Sequence, residues 1–226
     1  MQLENVTKRP KSETKRIYDD ACGTAHGLEL IGERWALLVL RELMLGARRF
    51  SGLRADLPGI SANVLSQRLS ELEAKGLVRK VQLPPPASVQ VYEATEWGLE
   101  AEPLIQTLGR WAARSPAHDP SLFLSGVSML LSFRTMLDAH RATGLSGRIG
   151  FRFGAHHYVG TLEGGRFDVV RGPAEGCDVI FTGDPAALAA VVYGGAPFET
   201  VGVEGDQTLA RKFVTLFPLP SKAEAS

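Results

Sequence analysis

Apolar residues recur at helical spacing from Thr24 onward. Leu28 and Ile31 fall three apart, and Trp35, Leu38, Val39 and Leu43 continue the pattern until Gly46 supplies a stop. Gly32 falls where two helical pieces meet. A short element over 50–57 places Phe50, Leu53 and Leu57 on one face and ends at the turn pair Pro58-Gly59. Ser61 is a good N-cap, and 62–75 reads as a helix that Gly76 terminates in a left-handed position. Within it Leu65, Leu69 and Leu72 occupy i, i+4 and i+7, one apolar stripe. Two short strands follow, 77–83 and 88–92. Pro84-Pro85-Pro86-Ala87 between them forbids a two-residue hairpin turn. Thr95 caps a helix over 96–113, which Pro103 should kink.

The pattern changes after a linker at 115–120, rich in Pro and Ser. Residues 121–142 read as one apolar helix. Strands at 148–153, 157–162 and 166–170 form an antiparallel meander, with Gly164-Gly165 as a hairpin signal. A fourth strand is expected over 177–182. Asp184-Pro185 opens an Ala-rich helix to about Tyr193, 200–204 is short and extended, and a terminal helix runs over 206–217. The expected division is a basic flexible arm (1–17), a helix-turn-helix domain (18–114) and a second domain (121–220), in an α+β fold class.

Charge sharpens this division. The chain of 226 residues has 25 Lys+Arg and 25 Asp+Glu, a formal net charge of zero, which taken whole argues against nucleic acid. The zero is a sum of unlike parts. Residues 48–80 carry Arg48, Arg49, Arg54, Arg68, Lys75, Arg79 and Lys80 against Asp56, Glu71 and Glu73, and the arm adds five more basic residues against two acids.

Two short helices joined by a Pro-Gly turn, then a strand pair, is the layout of a winged helix-turn-helix. Opposite its leucine stripe, the second helix presents Asn63, Ser66, Gln67 and Ser70. A solvated face would carry Glu and Lys; these side chains can hydrogen-bond base edges instead. Flanking Arg48, Arg49, Arg54 and Arg79-Lys80 suit phosphate clamps. The DNA contacts assigned are therefore Arg48, Arg49, Ser61, Ala62, Asn63, Ser66, Gln67, Arg68, Ser70, Arg79 and Lys80, although Arg68 could equally pair with Glu71.

Positions 18–113 resemble the HxlR family of bacterial winged-helix transcriptional regulators. The resemblance is carried by Cys22, Leu30-Ile31-Gly32-Glu33-Arg34-Trp35, Leu40-Arg41-Glu42-Leu43, Arg49-Phe50, Leu57-Pro58-Gly59-Ile60-Ser61, Leu65-Ser66-Gln67-Arg68-Leu69, Gly76-Leu77-Val78, Tyr92, Thr95, Gly98 and Trp111. It implies a homodimer whose terminal helices pack together and two recognition helices reading an inverted repeat in double-stranded DNA. Gly23 replaces the Pro that usually follows the cysteine. Val89 stands where the second wing strand is often basic, which counts against a strong wing contact. Some members of the family use a cysteine at the place of Cys22 as an oxidant sensor, whereas nearby Asp19 and Asp20 would hold its thiol protonated.

The remainder resembles a sterol carrier protein-like α/β sandwich. The carrying pattern is the meander, Gly183-Asp184-Pro185-Ala186-Ala187-Leu188, Val203-Glu204-Gly205-Asp206 and a helix ending at Phe217. That resemblance implies a cavity for an apolar molecule, and Phe123, Val127, Leu130, Phe133, Met136, Leu137, Leu188 and Phe213 are the expected lining. An ordinary core with an interdomain contact accounts for the same residues.

No phosphate-binding loop, metal-ligand spacing or nucleophile elbow occurs, so no enzyme and no cofactor are expected. There is no apolar run long enough to span a bilayer, and two distant cysteines give no disulfide framework, so a reducing cytoplasm is the default. The expected function is a dimeric DNA-binding regulator, a repressor, modulated by an apolar effector. The alternatives are a thiol switch at Cys22 with a structural second domain, and a lipid carrier or scaffold that binds no DNA.

Overall fold

The computed structural model describes residues 18–224; the basic arm expected over 1–17 lies outside the described residues. The first half runs α1 (Gly23–Ile31), α2 (Ala36–Leu43), α3 (Phe50–Ala55), α4 (Ala62–Ala74), β1 (Val78–Gln82), β2 (Gln90–Ala94), α5 (Glu96–Leu99) and α6 (Glu102–Ala112). β1 and β2 form an antiparallel ribbon whose register pairs Lys80 with Tyr92. The second strand lies two residues later than its apolar pattern suggests, because Val89 still belongs to the loop and only bonds Leu83. The expected kinked helix over 96–113 is two helices. Pro103 lies in the first turn of α6, where its missing N–H costs no intrahelical bond.

The second half is α7 (Gly126–Met136), β3 (Gly147–Phe153), β4 (His156–Glu163), β5 (Arg166–Arg171), β6 (Val179–Thr182), α8 (Pro185–Tyr193), β7 (Gly202–Gly205) and α9 (Gln207–Phe213). Its five strands lie in the order β5-β4-β3-β6-β7. β3 and β6 are parallel and the other neighbours antiparallel. The apolar helix expected over 121–142 is half that length. Ser125 caps it by accepting from the Ser128 amide at 3.0 Å, and Leu137 turns extended at ψ 125°. The terminal helix likewise stops at Phe213.

One apolar core runs through both halves. Leu40 and Leu43 of α2 belong to the same cluster as Leu130 and Phe133 of α7, and α7 packs on both α2 and α6. The apolar residues of α7 thus meet the first half as well as the sheet. Beneath α7 the rings interlock. Phe133 stacks on Phe217 with centroids 4.2 Å apart and meets Phe213 edge-on at 5.3 Å. Gly160 admits Phe167, since a Cβ there would lie 2.3 Å from its ring.

Polar contacts join the halves too. Arg134 of α7 donates from Nη1 to both Glu102 carboxylate oxygens at 2.8 Å and from Nη2 to the Val169 carbonyl at 2.6 Å. Ser125 donates to Glu42, a fully buried carboxylate that also accepts from Arg41. The C-terminal segment returns to α6, where Lys222 donates to the Ala113 and Ser115 carbonyls at 3.0 and 3.1 Å. A cation there suits the negative end of the helix.

Candidate nucleic-acid interface

The scaffold for α4 is built around a turn. Gly59 adopts φ +89°, and the Trp35 ring packs over it, with the tryptophan itself at φ +77° where α2 begins. Such a backbone is costly for a residue with a Cβ, so the packing of this ring against the turn holds α2 and α4 in a set relation. Ser61 then opens α4 by accepting from the Val64 amide at 3.3 Å. Leu65, Leu69 and Leu72 are buried beneath the helix. From its other end, Lys75 donates to the Glu29 and Leu30 carbonyls at 2.6 and 3.0 Å and ties α4 to α1.

With the leucines inward, Asn63, Ser66, Gln67 and Ser70 are all exposed on the outer face, and Ser61 is exposed at its start. Ala62 is half-buried. Arg49, Arg54, Arg79 and Lys80 are exposed as well. Gln67 is held by a 2.9 Å bond to Glu71, and Arg79 pairs with Glu93 at 2.5 Å. Lys80 lies over the Tyr92 ring, 5.6 Å from its centroid.

Two of the expected phosphate clamps are placed otherwise. Arg48 is 4 % exposed and ion-paired with Asp56. Its backbone forms an isolated bridge with Tyr92, which turns the side chain into the interior. Arg68 is largely buried against Glu71 and lies 3.5 Å from Glu33. Neither guanidinium faces the solvent side of α4. Arg54, the remaining flanking cation, is exposed.

The expected apolar lining is also corrected. Phe123 precedes α7 and is 59 % exposed. Val127, Leu130, Phe133, Met136, Leu188 and Phe213 are buried in the close-packed core, ring against ring, so the space assigned to a ligand is filled by side chains. Leu137 borders an open depression of about 320 Å³ lined by Glu102, Gln106, Arg134, Arg166 and Asp168, a polar rather than an apolar site.

An apolar surface that the sequence reading did not single out lies on α5 and α6. Trp97, Leu99, Leu104, Leu108 and Trp111 are exposed, Trp111 to 70 %, and Leu28 of α1 is exposed as well. The i, i+4, i+7 spacing of Leu104, Leu108 and Trp111 was the available signal. Large exposed apolar patches mark interaction surfaces.

Cys22 is the N-cap of α1 and exposed. The Thr24 amide and hydroxyl and the Ala25 amide, which lie beside its sulfur at the start of α1, pull its thiol pKa down. The acidic neighbours do not reverse this, since Asp20 accepts from the Cys22 amide at 2.8 Å. Among the described residues no group of three or more His, Cys, Asp and Glu is placed to hold a metal ion, and no helix is long and apolar enough to cross a membrane.

Comparison with known proteins bears on this first half. Residues 30–119 match the family model described as HxlR-like helix-turn-helix. The chain is 42 % identical over 92 residues to the uncharacterized HTH-type transcriptional regulator YkvN of Bacillus subtilis, covering 40 % of this chain and 77 % of that protein. It is 34 % identical over 85 residues to the uncharacterized HTH-type transcriptional regulator YvaP of the same organism, covering 38 % and 79 %. The reduced form of the transcriptional regulator YodB from B. subtilis superposes with a TM-score of 0.39 at 31 % identity, over 43 % of this chain and 98 % of that one.

Proposed function

Because the chain belongs to the HxlR-like helix-turn-helix family, we propose that it is a homodimeric transcriptional repressor that reads an inverted repeat in double-stranded DNA through α4. The single observation that carries this reading is the uncharged polar face of α4: Asn63, Ser66, Gln67 and Ser70 point outward together, with Ser61 at the helix start. Asn and Gln offer paired donor and acceptor atoms to adenine, and Ser serves any base. Exposed Arg49, Arg54, Arg79 and Lys80 supply phosphate contacts that set register. The buried Arg48 and Arg68 take no part.

Dimerisation uses the apolar surface of α5 and α6. Burying Trp111, Leu104 and Leu108 against a second copy removes large exposed apolar side chains of the first half from water. Two copies of α4 related by a two-fold axis then require an operator with two half-sites. Selection from a random duplex library should return an inverted repeat. A single half-site, or no enrichment over random sequence, would overturn the dimeric reading.

The second half is read as a sterol carrier protein-like module of domain range 121–220. Its five-stranded sheet with α7 and α9 packed on it, and α8 against α7, supports that reading. An apolar effector would have to displace rings that now fill the core, so binding would be coupled to a shift of α7 against α2 and α6. It could alter DNA affinity only by favouring one dimer geometry over another. Native mass spectrometry of freshly purified protein tests this: a co-purified lipid-like mass is expected, and an apolar library that gives neither a mass nor a thermal shift overturns it.

The geometry of Cys22 favours a second reading, a thiol switch. Its exposed sulfur, whose pKa the Thr24 and Ala25 amides lower, suits a reactive cysteine, and YodB and HypR have solved structures described by their redox form. Gel shifts under oxidant with Cys22→Ser decide: oxidant-sensitive binding lost in the variant supports the switch, and equal sensitivity in both removes it.

A further inference from the structure

Where the end of β5 meets the connection between α2 and α3, Arg171 lies against Gly46; a Cβ on that glycine would sit 3.7 Å from Arg171 Cδ. The Arg171 guanidinium rests over the Tyr158 ring at 4.7 Å from its centroid. Its Nε and Nη2 are both buried and have no hydrogen-bond partner, and among the described residues Arg171 alone has two such atoms. These two nitrogens form one edge of the guanidinium, where the N–H bonds run parallel, the edge that receives the two oxygens of a carboxylate.

A second guanidinium lies near. Arg48, 4 % exposed, spends one arm on Asp56 while its Nη1 is buried without a partner. Arg48 and Arg171 are close enough for each charge to act on His156 and Tyr158, and Arg48 on Arg171 itself. Burial, foremost, pulls the pKa of Arg171 down, and the Arg48 charge adds to this. Asp56 is thus one carboxylate for two buried cations; Arg41 and Ser125 both engage Oε1 of Glu42, whose Oε2 is buried without a partner and accepts from neither cation. Buried donors left without an acceptor are costly, and Nε and Nη2 of Arg171 and Nη1 of Arg48 are three of them, beside one excess positive charge.

We propose that this junction binds the carboxylate of a small organic acid, gripped by the Nε and Nη2 edge of Arg171. A monovalent, planar group matches both the parallel donors and the single excess charge, whereas a phosphate dianion would overshoot the charge. The bound acid would tie β5 of the second half to the α2–α3 connection of the first. Its binding is independent of the DNA contacts, so the test needs no operator.

The experiment titrates the full chain with sodium acetate against sodium chloride and sodium phosphate at equal ionic strength. It follows the arginine Nε–H resonances by NMR and the thermal midpoint. Arg171→Lys, which keeps the charge but loses the fork, identifies the Arg171 signal by its disappearance. Acetate should move that signal saturably where chloride does not, raise the midpoint above the chloride control, and bind roughly tenfold more weakly to Arg171→Lys. No acetate-specific movement in the wild-type protein overturns the site whether or not the variant folds. Saturation by phosphate but not by acetate overturns the carboxylate assignment.

Discussion

Replacing Ser125 by Ala removes two interactions at once, and both magnitudes can be worked from the structure. The Ser125 hydroxyl accepts from the Ser128 amide at 3.0 Å as the cap of α7, and it donates to Glu42 at 2.8 Å across the boundary between the halves. Loss of such a cap costs about 1 kcal/mol. A hydrogen bond to a charged group is worth about 1.5–3 kcal/mol, and here its loss leaves a fully buried carboxylate with Arg41 alone. The sum is a destabilisation of about 2–4 kcal/mol, with Ser125→Thr close to wild type. All three tryptophans, Trp35, Trp97 and Trp111, lie in the first half, so their emission reports that half while far-ultraviolet circular dichroism reports the whole. Urea titrations followed by both probes should lose stability together, because Leu40 and Leu43 share one cluster with Leu130 and Phe133. A tryptophan transition that stays in place while the dichroism transition moves would refute a shared core and leave two independently folding units.

Burial, partly offset by Arg41 and Ser125, raises the pKa of Glu42 above the ordinary carboxylate value near 4.5. Folding therefore favours the protonated acid: its stabilisation is complete below that ordinary value and is lost as pH rises through the folded one, a slope that Glu42→Gln should flatten in denaturation measured across that range. Gly98→Ala should destabilise by about 1–3 kcal/mol in thermal or urea melts, since its Cβ would lie 2.1 Å from the Leu77 carbonyl oxygen. Adjacent Arg48 and Arg49 should behave oppositely. Arg48→Ala strands the largely buried Asp56 and should cost about 3–5 kcal/mol of stability, while Arg49→Ala should leave stability within about 0.5 kcal/mol and weaken DNA binding with a shallower salt dependence.

That neighbouring pair shows what the sequence could and could not reveal. The α4 helix was legible because all its signals are local: a Ser cap, three leucines on one stripe, and a terminal glycine at φ +75°. Arg48 and Arg49 are alike by every local measure, and only the long-range bridge to Tyr92 sends one of them inward. The length of α7 was misread because apolar content says where burial continues, while the helix ends are set by the Ser125 cap and the turn at Leu137. The expected ligand lining was legible as apolar and not as packed; whether such residues enclose a cavity or fill it depends on partners such as Phe217, eighty-four residues from Phe133. The exposed stripe of α6 was visible as spacing, yet nothing in its own sequence distinguishes a face that meets the core from one that meets water.

The most direct test of DNA reading by α4 is the affinity of Asn63→Ala/Gln67→Ala for the selected operator, measured by fluorescence anisotropy beside a scrambled duplex at the same salt. Each base contact contributes about 1–3 kcal/mol of discrimination, so the variant should lose at least tenfold in preference for the operator. Its affinity for the scrambled duplex, set by exposed cations such as Arg49 and Lys80, should remain within about twofold. Undiminished preference in a folded variant would contradict the assignment of α4 as the reading helix.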